Sequence, residues 1–136
     1  MVKELTEIML MEKKTLEDLL VLLEEQYNYI MKKDVFALED IVEKIKLSNK
    51  EIAKQEVNRR QLVGNEKMQD IINNSNDKDL SLAYRETKKI IESVRQQKDT
   101  NELLIKQQIS FNAQILNIIN PKREIKTYNS YGSLSK

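Results

Sequence analysis

A heptad stripe runs without a slip through the second half of the sequence. Leu80, Ala83, Thr87, Ile90, Val94, Gln97, Asn101, Leu104, Gln108, Phe111, Ile115 and Ile118 alternate three and four residues apart. That is the spacing of one seam on a helix packed in a coiled coil or bundle. A strand turns successive side chains to opposite faces, so no sheet can use this pattern. The stripe calls for a single helix of some forty residues, about 60 Å at roughly 1.5 Å per residue.

Little elsewhere interrupts helix. The 136 residues include only two glycines, Gly64 and Gly132, and one proline, Pro121, far short of the punctuation that an all-β or α/β chain needs. A first helix is predicted over Val2–Lys32, where Leu5, Ile8, Met9, Leu16, Leu19, Leu23, Tyr27 and Ile30 fall mostly three or four apart. The leucine run over residues 19–23 is too continuous for one narrow stripe, so that half should be covered on more than one side. Asp34 stands where a carboxylate can accept from the amides of the next turn. A second helix, Val35–Val63, carries Leu38, Ile41, Val42, Ile45, Ile52 and Leu62. So short a break folds the two into an antiparallel hairpin. Ser48, Asn49, Gln55, Glu56 and Arg59 interrupt the second stripe, which predicts that its later half is the less buried one.

Gly64 suits a helix end, because glycine alone takes a left-handed conformation without penalty. One or two helical turns are predicted over residues 66–72. A loop then follows over residues 73–79, where Asp77 or Asp79 can cap the long helix. The first two helices reach only about 45 Å each, so the last must overhang them or contact something else. Pro121 lacks the amide needed to continue it. Residues 122–136 have no helical period and carry four bases (Lys122, Arg123, Lys126, Lys136) against one acid (Glu124), a net +3. Such a composition predicts disorder. The expected fold is all-α: an antiparallel helical hairpin plus one long C-terminal helix, forming an elongated three-helix coiled-coil bundle over residues 1–120, with a flexible C-terminal tail over 121–136.

The composition narrows the chemistry sharply. Without cysteine or histidine, the chain lacks disulfides, thiolate chemistry, and the commonest general base and metal ligand. No Walker loop, dinucleotide fingerprint or nucleophile elbow occurs. Residues 73–79 lack the central glycine and terminal glutamate of a calcium loop. Neighbouring acids such as Glu24 and Glu25 point about 100° apart on a helix, as a solvated face does. No catalytic, cofactor or metal site is expected, and the chain is read as a non-enzyme. Its 23 bases against 22 acids give a net charge of +1, without the basic surplus of a nucleic-acid binder. Acids and bases are spaced through the start of the chain, so neither a secretory segment nor a stable membrane insertion is expected, and the expected location is cytoplasmic.

What remains points to protein partners. Gln97, Asn101 and Gln108 place amides on the seam. They are either wet, in an overhanging stretch, or buried and fixing register. Beyond them Leu104, Phe111, Ile115 and Ile118 restore an apolar stripe that Leu103, Ile105, Ile109, Leu116 and Ile119 widen past the needs of one face. It packs on the first helix or a second copy of the chain, or it forms a groove for a foreign amphipathic helix. Tyr128 and Tyr131 lie in an otherwise polar tail, as docking residues do.

Taken together, several stretches resemble the FlgN-like family, the cytosolic export chaperones for the hook-associated proteins of the bacterial flagellum. They are L-E-D-L-L-V-L-L-E-E over residues 16–25, Asp34 with Leu38, Lys44 and Lys46, the pair Arg59 and Arg60, N-E-L-L over 101–104, and Y-N-S-Y-G over 128–132. The resemblance covers nearly the whole chain. Two departures stand out: the tail has two tyrosines where the family pattern has one, and Gln108 interrupts the seam below N-E-L-L. The resemblance implies a chaperone that holds the C-terminal helices of the hook–filament junction proteins, prevents their premature assembly and delivers them to the type III export gate. It places client binding on Asn101, Leu104, Phe111, Ile115 and Ile118. Docking to the cytosolic domain of the export gate falls on Tyr128 or Tyr131. Two alternatives stand beside it: a chaperone for flagellin or the filament cap, and a homodimeric coiled-coil scaffold without a client.

Overall fold

The carboxylate of Asp34 accepts a hydrogen bond from the Ala37 amide at 3.1 Å, and at that cap one helix gives way to the next. The structure is a computed structural model. It describes the backbone of residues 1–119, 127–128 and 134–135, and the side chains through Ser110 together with Asn112 and Asn117. Four helices follow in order: α1 (Val2–Lys32), α2 (Val35–Val63), α3 (Met68–Ser75) and α4 (Lys78–Ile119). Lys33 closes α1 in the left-handed region at φ 56°. There its amide and that of Asp34 return to the Ile30 and Tyr29 carbonyls at 3.1 and 3.0 Å. Gly64 closes α2 at φ 62°, a conformation open to glycine at no steric cost.

The fold is all-α, as the periodicity predicts, and its long helices pack as a bundle. Two compact units divide the chain, Met1–Lys98 and Asp99–Lys136. In the first, all four helices meet at one end. Leu5 and Met9 of α1, Val63 of α2, Ile71 and Ile72 of α3, and Leu80 and Ala83 of α4 form a single apolar cluster. Burial of these side chains is the main favourable term holding the four together. Farther along α1, Leu16, Leu19, Leu23 and Ile30 are buried, while Val21 points outward. The leucine run thus buries one face, with Leu20 and Leu22 half-buried at its edges, where coverage on more than one side was expected.

Polar residues carry part of the α1–α2 seam, which departs from the prediction for the later half of α2. The Arg59 guanidinium donates to Glu12 Oε1 at 2.9 Å. The Gln55 amide donates to the Thr15 hydroxyl, also at 2.9 Å. Glu12 and Gln55 are both buried. These residues interrupt the apolar pattern without opening the interface, because each meets a polar partner on the facing helix. The pairing of Glu12 with Arg59 and Thr15 with Gln55 also shows the antiparallel sense of the hairpin.

The segment between the hairpin and α4 is more helical than its composition suggests. Helix α3 includes Asn73, Asn74 and Ser75, and only Asn76 and Asp77 separate it from α4. Burial of Ile71 and Ile72 overrides the weak helix propensity of the polar turn. Asn76 ends α3 at φ 53°, which asparagine tolerates better than most residues. Asp77 then caps α4 by accepting from the Leu80 amide at 2.8 Å. In the second unit, α4 continues from Asp99, and Thr127–Tyr128 pairs antiparallel with Leu134–Ser135. The flexibility expected over residues 121–136 concerns positions that lie mostly outside the described residues.

Candidate functional site

The seam of α4 keeps its phase as far as the side chains are described. Leu80, Ala83, Thr87 and Asn101 are buried, and Ile90, Val94, Gln97, Leu104 and Gln108 are half-buried. At Thr87 the hydroxyl donates to the Ala83 carbonyl at 2.7 Å and lies 3.4 Å from the Met9 carbonyl of α1. One helical turn is thereby tied internally and set against its neighbour. Lys13 of α1 bonds Glu86 of α4 beside it. That hydrogen bond raises the lysine above its ordinary value of 10.5 and lowers the carboxylate below 4.5.

Glu12 behaves in the opposite way. Loss of solvent pushes its carboxyl above 4.5, and this outweighs the opposing pull of Arg59. A raised acid in a helical seam, hydrogen-bonded to a cation on the facing helix, reads as packing chemistry.

The amides on the α4 seam differ from one another. Asn101 is 1% exposed, which rules out a wet position there. Gln97 and Gln108 are half-buried, and all three have interactions within the molecule. Around Asn101 apolar surface reaches solvent. Leu103 is 57% exposed and Ile109 39%, while Leu104 and Ile105 are half-buried. Leu103 lies two positions beyond Asn101, about 200° around the helix, so it points away from the seam. Ile105 and Ile109 are one turn apart on the flank nearest it. Phe111, Ile115 and Ile118 continue the seam along the helical backbone, and their side chains lie outside the described residues. Tyr128 contributes backbone to the short strand pair; its side chain, and the whole of Tyr131, lie outside them too.

This arrangement is a helical surface with apolar flanks, and it offers a partner area to cover. A comparison with protein families bears directly on which partner that is: the family model described as FlgN protein matches residues 1–136. The chain belongs to the FlgN family. FlgN proteins are flagellar export chaperones, a family without enzymatic activity that binds flagellar hook-associated proteins. No curated protein and no solved structure matches the chain. Among the described residues, no helix is long and apolar enough to cross a membrane, and no group of acids is placed to hold a metal ion.

One surface escaped the sequence reading. Phe36, Leu47 and Val35 on α2 are 80%, 67% and 61% exposed. A heptad count on the outward face of α2 would have found the first two. Charged residues fill most of that face, however, so no apolar period stood out.

Proposed function

We propose that this FlgN-family chain is an export chaperone that binds the C-terminal helices of hook–filament junction proteins. It keeps them from assembling early and delivers them to the cytosolic domain of the flagellar export gate. The family match over the whole chain carries the reading. The apolar surface beside Asn101 supports it, since an amphipathic client helix is recognised by laying its apolar side against such a surface. In this reading residues 1–120 are the chaperone domain. The buried Asn101 fixes the register of α4, and Leu104, Phe111, Ile115 and Ile118 meet the client. Residues 121–136 form the tail that docks through Tyr128 or Tyr131. Ordering a client helix on binding costs free energy, which holds affinity in a range where release is achievable. An export chaperone must let go.

Co-purification with hook–filament junction proteins, repeated with flagellin and the filament cap protein, tests the assignment. A complex with the junction proteins that survives removal of residues 121–136 is the expected result. Capture of flagellin or the cap protein instead would overturn the choice of client.

A further inference from the structure

The side of α4 turned away from its seam is basic through the first compact unit. Lys78, Leu82, Arg85, Lys89, Glu92 and Gln96 follow one another four and three residues apart, all exposed, and Lys88 and Arg95 are exposed beside them. Five bases thus stand against one acid over about 27 Å of helix, in a chain whose net charge is only +1. Asp99, one turn on, ends the row. The other acids of this stretch lie elsewhere on the helix: Glu86 turns to Lys13 of α1, and Asp79 is about 100° around from Lys78. Little of the basic charge is used within the fold. Among the described residues, Lys78, Arg85 and Lys89 form no ion pair. Lys88 lies over the Tyr84 ring at 5.1 Å, and Arg95 meets Glu92 at 3.3 Å with both side chains more than half exposed.

We propose that this face holds the chain against an anionic lipid surface, peripherally and by charge. A protein helix laid on it would need apolar anchors three, four and seven residues apart. The row offers Leu82 alone, 49% exposed. It carries no aromatic residue on which the bases of a nucleic acid strand could stack. What it does offer is a convex line of long cationic side chains, and a lipid surface asks for no more. Each Lys or Arg near an anionic leaflet adds to the attraction whatever its register, and Leu82 can enter the headgroup boundary beside them. The rest of the chain carries more acids than bases, so such a surface attracts this face and repels the remainder, which fixes orientation.

Such attachment is reversible and depends on salt, since exposed charges are screened over a Debye length of about 10 Å at 0.1 M. It stays at the surface, because among the described residues no helix is long and apolar enough to cross a membrane. The inference does not rest on the client assignment, and its failure would leave that assignment untouched.

Co-sedimentation of the full chain with vesicles tests this. The chain should bind phosphatidylcholine vesicles containing about 30% phosphatidylglycerol at about 100 mM salt, about tenfold or more less tightly at about 500 mM, and phosphatidylcholine alone not at all. Arg85→Gln with Lys89→Gln should weaken binding by about 25-fold, about fivefold for each charge removed. Lys50→Gln with Lys54→Gln, at two exposed lysines of α2, removes the same charge and should stay within about twofold. Circular dichroism on both double variants confirms an intact fold at these exposed positions. A wild-type chain that ignores anionic vesicles, or binds neutral ones equally, would overturn the proposal. Equal losses in the two double variants would show an effect of net charge and overturn it too. Capture of a polyglutamate peptide or an RNA oligonucleotide without vesicle binding would assign the face to an acidic protein or a nucleic acid and overturn it equally.

Discussion

Arg59 donates to Glu12 across the α1–α2 seam at 2.9 Å, the cation 20% exposed and the carboxylate 8%. An acid so covered depends on its partner, and the pair fixes the hairpin register as much as it strengthens it. Replacing Arg59 with methionine leaves the carboxylate buried beside no cation. The chain should lose about 1–3 kcal/mol near neutral pH, below the cost of breaking a fully buried pair because Arg59 reaches water. The sign of the pH dependence follows from Glu12, whose carboxyl is raised above 4.5 in the folded chain. In the interval above 4.5 the folded state holds the proton more tightly than the unfolded one. The Glu12 contribution therefore falls as pH rises through the folded value and recovers as pH drops. Urea midpoints between about pH 4.5 and pH 7 should show Arg59→Met losing more stability with rising pH than wild type. A parallel offset at every pH would mean that Glu12 does not titrate there.

The cluster joining all four helices sets the cost of core truncation. Leu5 is 0% exposed, and Leu103 is 57% exposed. Leu5→Ala should destabilise by about 2–5 kcal/mol through lost burial and the cavity left behind. Leu103→Ala should stay within about 0.5 kcal/mol, as a surface change does. Thermal unfolding of both variants decides it, and similar losses would show that Leu103 is covered in solution.

Much of the fold was legible because helices announce themselves by period and caps. The bounds of α1 and α2 follow from stripes ending at Asp34 and Gly64, and the α4 seam holds phase from Leu80 through Gln108. Two features were not legible, for physical reasons. Residues 73–75 read as loop on propensity, yet burial of Ile71 and Ile72 draws them into α3. Gln55 and Arg59 read as breaks in a stripe, whereas they meet Thr15 and Glu12; a one-dimensional pattern cannot show a polar residue's partner on another helix. The family resemblance, and with it the chaperone reading, rested on L-E-D-L-L-V-L-L-E-E, N-E-L-L and Y-N-S-Y-G in order. The match over residues 1–136 agrees with it.

The tail separates two steps of the proposed function. Replacing Tyr128 and Tyr131 together with alanine should leave client affinity within about twofold, while export falls by about tenfold or more, the loss usual for an aromatic docking anchor. Client binding by purified proteins and secretion of junction proteins by cells measure the two separately. Unchanged export would remove the docking role from both tyrosines.

The most direct measurement is a calorimetric titration of the chain with the C-terminal helical segment of a hook–filament junction protein, run beside Phe111→Ala and Ile115→Ala. Saturable binding is expected, weakened by about 1–3 kcal/mol in each variant with helicity unchanged, as for apolar anchors at an interface. No binding by the folded wild-type chain, or variants that lose helicity and affinity together, would contradict a client-binding role for the end of α4.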